Sequence, residues 1–273
     1  MAYRIRKQIT ISIIVILFLA LVGVGVYYVF LKPGPTCFDG IKNQDEEEID
    51  CGGSQCVSCE IKTLKEVEVV WTQVIPLVPG VYDLAAKIRN PNPNFGNPGV
   101  KYELQLKDKS GQIVGKKSGM TFILPNSTKY IIENNFQGQG QIDSVQIKID
   151  TGENLSWLKL KNYQTPDIYV KGKKFEIRNE TNFFAEASGV VKNSTTFGFD
   201  KVDADIVLFD SNSKLIGAAK SEMRTLKAGE ERYFSVRWFS PIAGEVKFFD
   251  MQAETNLFSD DNYMRVYGVP QEQ

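Results

Sequence analysis

The chain has 273 residues, 32 Lys or Arg against 33 Asp or Glu, a formal net charge of −1, and no histidine. Without an imidazole, Ser-His-Asp and Cys-His catalysis, histidine metal sites and histidine pH switching are all excluded. The balanced charge with no basic groove argues against nucleic acid as a partner.

The first element in chain order is an apolar run, ITISIIVILFLALVGVGVYYVFL, over residues 9–31. As a helix at about 1.5 Å per residue it would extend roughly 34 Å, against a hydrocarbon core of about 30 Å. The sequence therefore predicts a single transmembrane helix over 9–31, with membrane lipid as its partner. A cleaved signal peptide would have a shorter apolar region ending in small residues, whereas this run ends in Tyr27, Tyr28, Val29, Phe30, Leu31. Arg4, Arg6 and Lys7 precede the run and only Lys32 follows closely. That asymmetry predicts a cytoplasmic tip at residues 1–8 and an extracytoplasmic remainder, the protein residing at the cell membrane. Gly23 and Gly25 do not form a G-x-x-x-G pair, so no helix dimerisation is inferred.

A cysteine-rich module is expected over residues 33–60. Cys37, Cys51, Cys56 and Cys59 are confined to it, and an even, clustered set outside a membrane predicts disulfides in an oxidising compartment. Spacing leaves all three pairings open. The segment is too poor in apolar residues for a core, so cross-links must replace burial. A redox role for Cys56 and Cys59 would need the first thiolate at a helix N-terminus, and CGGSQCVSC reads as loop. A zinc site would be expected to show two C-x-x-C knuckles, where this order has one. Between the first two cysteines, Asp39, Asn43, Asp45, Glu46 and Asp50 offer hard oxygen donors around Gly40, a candidate calcium set; the competing reading is a solvated acidic loop. The string CFDGIKNQDEEEIDCGGSQCVSC resembles a motif of secreted and surface-attached microbial proteins, C-x-DG-I-x-N-x-x-E leading to DCGG-x-x-C-x-x-C, from which it differs at Gln44 and Glu48. The resemblance implies an extracytoplasmic module and no activity.

From about Glu66 the chain alternates apolar and polar residues between Gly, Pro, Asn and Asp, the period-two signal of antiparallel strands. A shift of 102 residues superposes Phe95, Gly96, Val100, Leu106, Asp108, Gly115 and Leu124 on Phe197, Gly198, Val202, Leu208, Asp210, Gly217 and Leu226. This predicts an all-β ectodomain of two tandem immunoglobulin-like β-sandwich domains, at 64–160 and 168–267, followed by a disordered tail at 268–273. Asp108 and Asp210 should open turns by bonding backbone two residues ahead. Gly115 and Gly217 should mark bulges or close backbone approaches. The strand-turn-strand pattern, with VLFD at Val207 to Asp210, resembles bacterial extracytoplasmic sandwich domains with an F-x-L-Y-D motif, which implies fold rather than function.

No catalytic set is expected. Ser211 and Lys214 have S-x-x-K spacing but fall in a hairpin turn, and Asp203 with Asp205 reads as a solvated pair on an outer strand face. Trp71, Trp157 and Trp238 are expected in cores or between domains. Four N-x-S/T sequons occur, at Asn126, Asn154, Asn179 and Asn193. The functional expectation is a non-enzymatic, membrane-anchored structural or protein-interaction component of the cell envelope. The alternative is a glycan- or ligand-binding module using Tyr82, Phe95, Phe183, Phe184 and Phe197.

Overall fold

A computed structural model describes the chain apart from residues 1, 29–33, 35, 139, 141, 153–155, 161–162, 179–182 and 265–273. The expected tail at 268–273 and the sequons at Asn154 and Asn179 lie outside the described residues. Two compact units result, residues 1–61 and 62–273.

In the first unit, helix α1 spans Ala2–Val26. Here one expectation is corrected: among the described residues no helix is long and apolar enough to cross a membrane. The α-helical geometry begins inside the basic tip and ends at Val26, with wider turns at Tyr27 and Tyr28. The apolar part of this helix, from Ile9 to Val26, covers about 27 Å at ~1.5 Å per residue, less than the roughly 34 Å expected for the full run over 9–31. Its large apolar side chains, Ile11 through Val26, are exposed.

The cysteine module is cross-linked by Cys37–Cys56 and Cys51–Cys59, with no free thiol among the described cysteines. The pairing that spacing left open is thus resolved. A bridge between Glu48 and Cys51, followed by Gly52 and Gly53 at φ +79° and +72°, turns the chain beneath the acidic loop. A side chain on Gly53 would collide with the backbone of Asp45, so the paired glycines are a geometric requirement.

The second unit is all-β, with thirteen strands among the described residues. Strands β1 (Glu68–Val78), β2 (Val81–Arg89) and β5 (Thr128–Gln137) form one sheet; β4 (Ile113–Ile123), β3 (Phe95–Lys107) and β6 (Ser144–Asp150) form a second, with β7 (Leu158–Lys159) pairing at the start of β3. The order then recurs: β8 (Ile168–Ile177), β9 (Ala185–Asn193) and β12 (Glu231–Trp238) make one sheet, and β11 (Leu215–Leu226), β10 (Phe199–Phe209) and β13 (Phe248–Glu254) the other. All pairings are antiparallel. In the second copy, Val170, Val191, Ile206, Leu208, Met223 and Met251 meet between the two sheets, the packing of a sandwich.

Local devices recur with the strands. The Asp108 carboxylate accepts from the amides of Ser110 (2.8 Å) and Gln112 (3.0 Å); Asp210 accepts from Asn212 (2.8 Å) and Lys214 (2.9 Å). Both expected turns are present. Register shifts fall at Leu106/Lys107 opposite Gly115, and at Leu208/Phe209 opposite Gly217, so both glycines adjoin bulges. A Cβ on Gly217 would sit 2.7 Å from Leu208 Cδ1, so close approach operates as well.

A third repeated device was not foreseen. Asn90, fully buried, donates through Nδ2 to the carbonyls of Phe95 (2.7 Å) and Leu124 (2.9 Å) and accepts from the Asn92 amide (3.0 Å). Asn193, also fully buried, donates to Phe197 (2.8 Å) and Lys227 (3.0 Å) and accepts from the Thr195 amide (3.1 Å). Each asparagine fastens the loop after one strand to the end of a strand in the opposite sheet. With both amide hydrogens of Asn193 engaged, that sequon is closed to modification, whereas Asn126 is exposed at φ +46°.

Candidate functional site

The feature with most chemistry lies between the two sandwiches. The β1-β2-β5 sheet of the first packs on the β11-β10-β13 sheet of the second through Ile75, Ala85, Tyr130 and Ile132 against Val207, Phe209, Leu215 and Ala218. Trp71 joins this cluster, its ring centroid 5.9 Å from those of both Tyr130 and Phe209. Alternation along β10 sends Ala204, Ile206 and Leu208 into the second sandwich and leaves Asp203, Asp205, Val207 and Phe209 on its outer face. Covering that face with the first sandwich buries Asp205 to 6 % exposure.

Strand register decides which groups surround it. Across β10 and β13, Asp203 stands opposite Glu254, Asp205 opposite Gln252 and Val207 opposite Asp250; across β10 and β11, Asp205 stands opposite Lys220 and Asp203 opposite Glu222. The first sandwich contributes Lys129, whose ammonium pairs with the Glu254 carboxylate in full burial and lies 3.9 Å from the centre of the Phe122 ring. Tyr130 donates its hydroxyl to Asp250 Oδ2 (2.9 Å), Lys220 Nζ donates to the Ile132 carbonyl (3.0 Å), and Gln252 Nε2 donates to the Thr128 carbonyl (2.6 Å). Further along, the Leu215 amide donates to Gln73 Oε1 (2.7 Å) and Asn134 Nδ2 to the Ala218 carbonyl (2.9 Å). These bonds across the joint hold the two sandwiches in a fixed relation.

Beside this clamp is a cleft of about 340 Å³ lined by Tyr102, Met120, Lys129, Asp203, Asp205 and Lys220. It adjoins a second, of about 390 Å³, through Met120, Thr121, Lys201 and Asp203. Lys201 Nζ lies 3.4 Å from Asp203 and 2.7 Å from Glu222. Burial pushes the Asp205 carboxyl up to about 7, with neighbouring Glu254 adding to the effect and Lys129 opposing it. Burial likewise raises Glu254, against the pull of Lys129. A proton-exchanging acid near neutral pH thus stands on the cleft wall. The expectation of a solvated Asp203 and Asp205 pair fails for Asp205, because its strand face is covered.

The cysteine module arranges its acids differently. Asp39 accepts from the amides of Thr36 (3.1 Å) and Ile41 (2.9 Å) and from Asn43 Nδ2 (2.8 Å); both oxygens of Asp50 accept from the Gly40 amide (3.0 Å). Glu46 Oε2 accepts from the amides of Asn43 and Asp50 (both 3.2 Å), and Asp45 from Ser54 (2.6 Å). Of the five candidate calcium ligands, the four carboxylates accept from the loop backbone, whereas Asn43 donates to Asp39 and its buried Oδ1 has no hydrogen-bond partner among the described residues. Backbone donation holds Asp39 below the usual carboxylate range, with Thr36 the largest contributor. Two clusters of potential metal-binding groups converge among the described residues, Cys37 with Glu46 and Cys56, and Glu48 with Cys51 and Cys59; their sulfurs are already in disulfides.

The aromatics named for glycan stacking do not gather. Tyr82 and Phe95 are buried in the first sandwich, Phe183 stacks with Arg237, and exposed Phe197 packs edge-on against Tyr263.

No family model and no curated protein matches the chain. Among solved structures, a Bacteroides uniformis beta-glucuronidase 2 covalently bound to cyclophellitol-6-carboxylate aziridine aligns at 13 % identity and TM-score 0.28, covering 67 % of this chain and 25 % of that one. A Bacteroides uniformis beta-glucuronidase aligns at 14 % identity and TM-score 0.18, covering 58 % and 21 %. The chain spans a quarter or less of these enzymes, and similarity at this level carries no argument about activity.

Proposed function

We propose that this protein is a non-enzymatic, extracytoplasmic structural or protein-interaction component of the cell envelope. The observation that carries the reading is the joint between the sandwiches: a shared apolar cluster with a buried ion pair makes the two sandwich domains into one stiff body. A rigid pair presents surfaces on separate domains at fixed spacing, the geometry of a scaffold. Two disulfides in a module poor in apolar residues support an oxidising location. The resemblance of Cys37 to Cys59 to modules of surface-attached microbial proteins points the same way. Cross-linking in intact cells of the native source, followed by mass spectrometry, should recover a recurrent protein partner joined to lysines of residues 62–264. Recovery of self-linked peptides alone would refute the interaction role.

Ligand binding is the second reading, favoured by the cleft between the domains, whose walls carry both carboxylates and cations.

A further inference from the structure

We propose that the buried Lys129–Glu254 pair is the precursor of a covalent link, in which the Lys129 amine and the Glu254 carboxyl condense to an amide that ties the first sandwich to the second. The two groups touch across the joint, Lys129 from β5 and Glu254 from β13, at 5 % and 7 % exposure. The Phe122 ring, its centre 3.9 Å from Lys129 Nζ, closes one side of the amine to water. Two charges removed from solvent this completely are costly, and their mutual attraction repays the loss only in part. An amide removes both charges while keeping the contact between the sandwiches.

Burial also favours the reactive forms. One proton passed from the ammonium to the carboxylate leaves an amine facing a carboxylic acid, and burial raises Glu254 toward that neutral form, against the pull of Lys129. The nitrogen then attacks Glu254 Cδ. The C–N bond forms, the C–OH bond breaks, and a second proton from nitrogen leaves with the hydroxyl as water. The ion pair is thereby converted into a neutral amide and one water, and atoms and charge balance without an added reagent. Because the packing of the two sandwiches already holds nitrogen and carboxyl together, no further ordering is needed to bring them into reach.

Two further groups stand at this place. Asp205, itself buried, interacts electrostatically with both Glu254 and Lys129, and with Lys129 it lines the cleft of about 340 Å³ into which the water can leave. With its carboxyl at about 7, it can carry the proton from nitrogen to the departing hydroxyl. The buried Tyr163 hydroxyl finds no acceptor among the described residues and lies within range of the Glu254 charge. It can donate to the acyl oxygen as negative charge develops there.

Intact mass spectrometry of the full chain, denatured and with its disulfides reduced, tests the proposal. The parent should weigh one water less than its sequence, and Lys129→Met and Glu254→Leu should each show no such loss. Trypsin should fail to cut after Lys129 and should release a branched peptide joining residues 118–148 to residues 248–265. In chain sampled from the moment of synthesis, Asp205→Asn should slow the appearance of that peptide by about tenfold or more. A parent chain of full sequence mass, cut after Lys129, overturns the proposal, and so does a lost water that maps to any other pair of residues. These two measurements on the parent decide the matter should a variant fail to fold. A folded Asp205→Asn that links at the parent's rate overturns the role given to Asp205.

Discussion

Asn90 and Asn193 occupy equivalent corners of the two sandwiches, and each, fully buried, donates to two carbonyls and accepts from a backbone amide two residues on. Asn193→Ala removes the hydrogen bonds of a buried amide and takes the acceptor from the Thr195 amide, while the Phe197 and Lys227 carbonyls keep Thr195 Oγ1 and the Glu230 amide as donors; it should cost about 1–3 kcal/mol in all, read by urea unfolding of the variant. Asn126→Ala, at an exposed turn in left-handed conformation, should change stability far less. Asp205 behaves oppositely to a stabilising acid. Its pKa is about 7 when folded and about 3.9 when unfolded, so the native state holds the proton more tightly. Its contribution to stability is fully present below about pH 4 and is lost as pH rises through about 7. Asp205→Asn removes this dependence, so the variant should gain on the parent steadily from pH 4 to pH 7, measured by urea titration in amine-free buffer.

At the scale of strands, much could be read from sequence because period-two patterning and turn chemistry are local. LQLKDKSGQIVG and IVLFDSNSKLIG carry their own turn acid, left-handed turn residue and bulge glycine. Gly217→Ala would drive a methyl into Leu208 and should lower stability by about 1–3 kcal/mol; an unchanged melting temperature would contradict the packing described. The burial of Asp205 was not legible by the same means, since it depends on which sheet of one domain meets which sheet of the other. A hint existed in Ile206, Val207, Leu208 and Phe209, an unbroken apolar run that alternation for a one-sided sheet does not explain. The run is buried throughout because one face lines its own core and the other the joint. The apolar N-terminal run misled for a related reason: composition fixes hydrophobicity but not where the α-helix ends, which here is Val26.

For the molecule as a whole, cross-links and burial stabilise different parts. The cysteine module relies on Cys37–Cys56 and Cys51–Cys59, while the all-β unit contains no cysteine. Reduction should cost the module about 2–5 kcal/mol and open residues 37–59 to protease, leaving residues 62–264 resistant. Cleavage throughout both units would show that they are stabilised together. The joint is tested by Lys129→Met, which leaves Glu254 buried without its partner and should cost about 3–5 kcal/mol. Calorimetry should then show the single transition of the paired sandwiches splitting in two.

The joint also joins unlike sheets: β1-β2-β5 of one copy meets β11-β10-β13 of the other. Such a head-to-tail contact does not close on itself, and repeated identically it would grow into a filament. The positions that would receive a further copy are dressed against it. Where the second sandwich presents Asp205, Val207 and Phe209, the first carries Glu103, Gln105 and Lys107 at the matching sites, with Gln105 bonded to Glu103 (2.6 Å) and Lys107 to Gln146 (2.7 Å). Where the first offers Ile132, the second has Ser235. At these positions the outward faces of the pair carry polar side chains where the joint carries apolar ones, which works against identical addition of another copy.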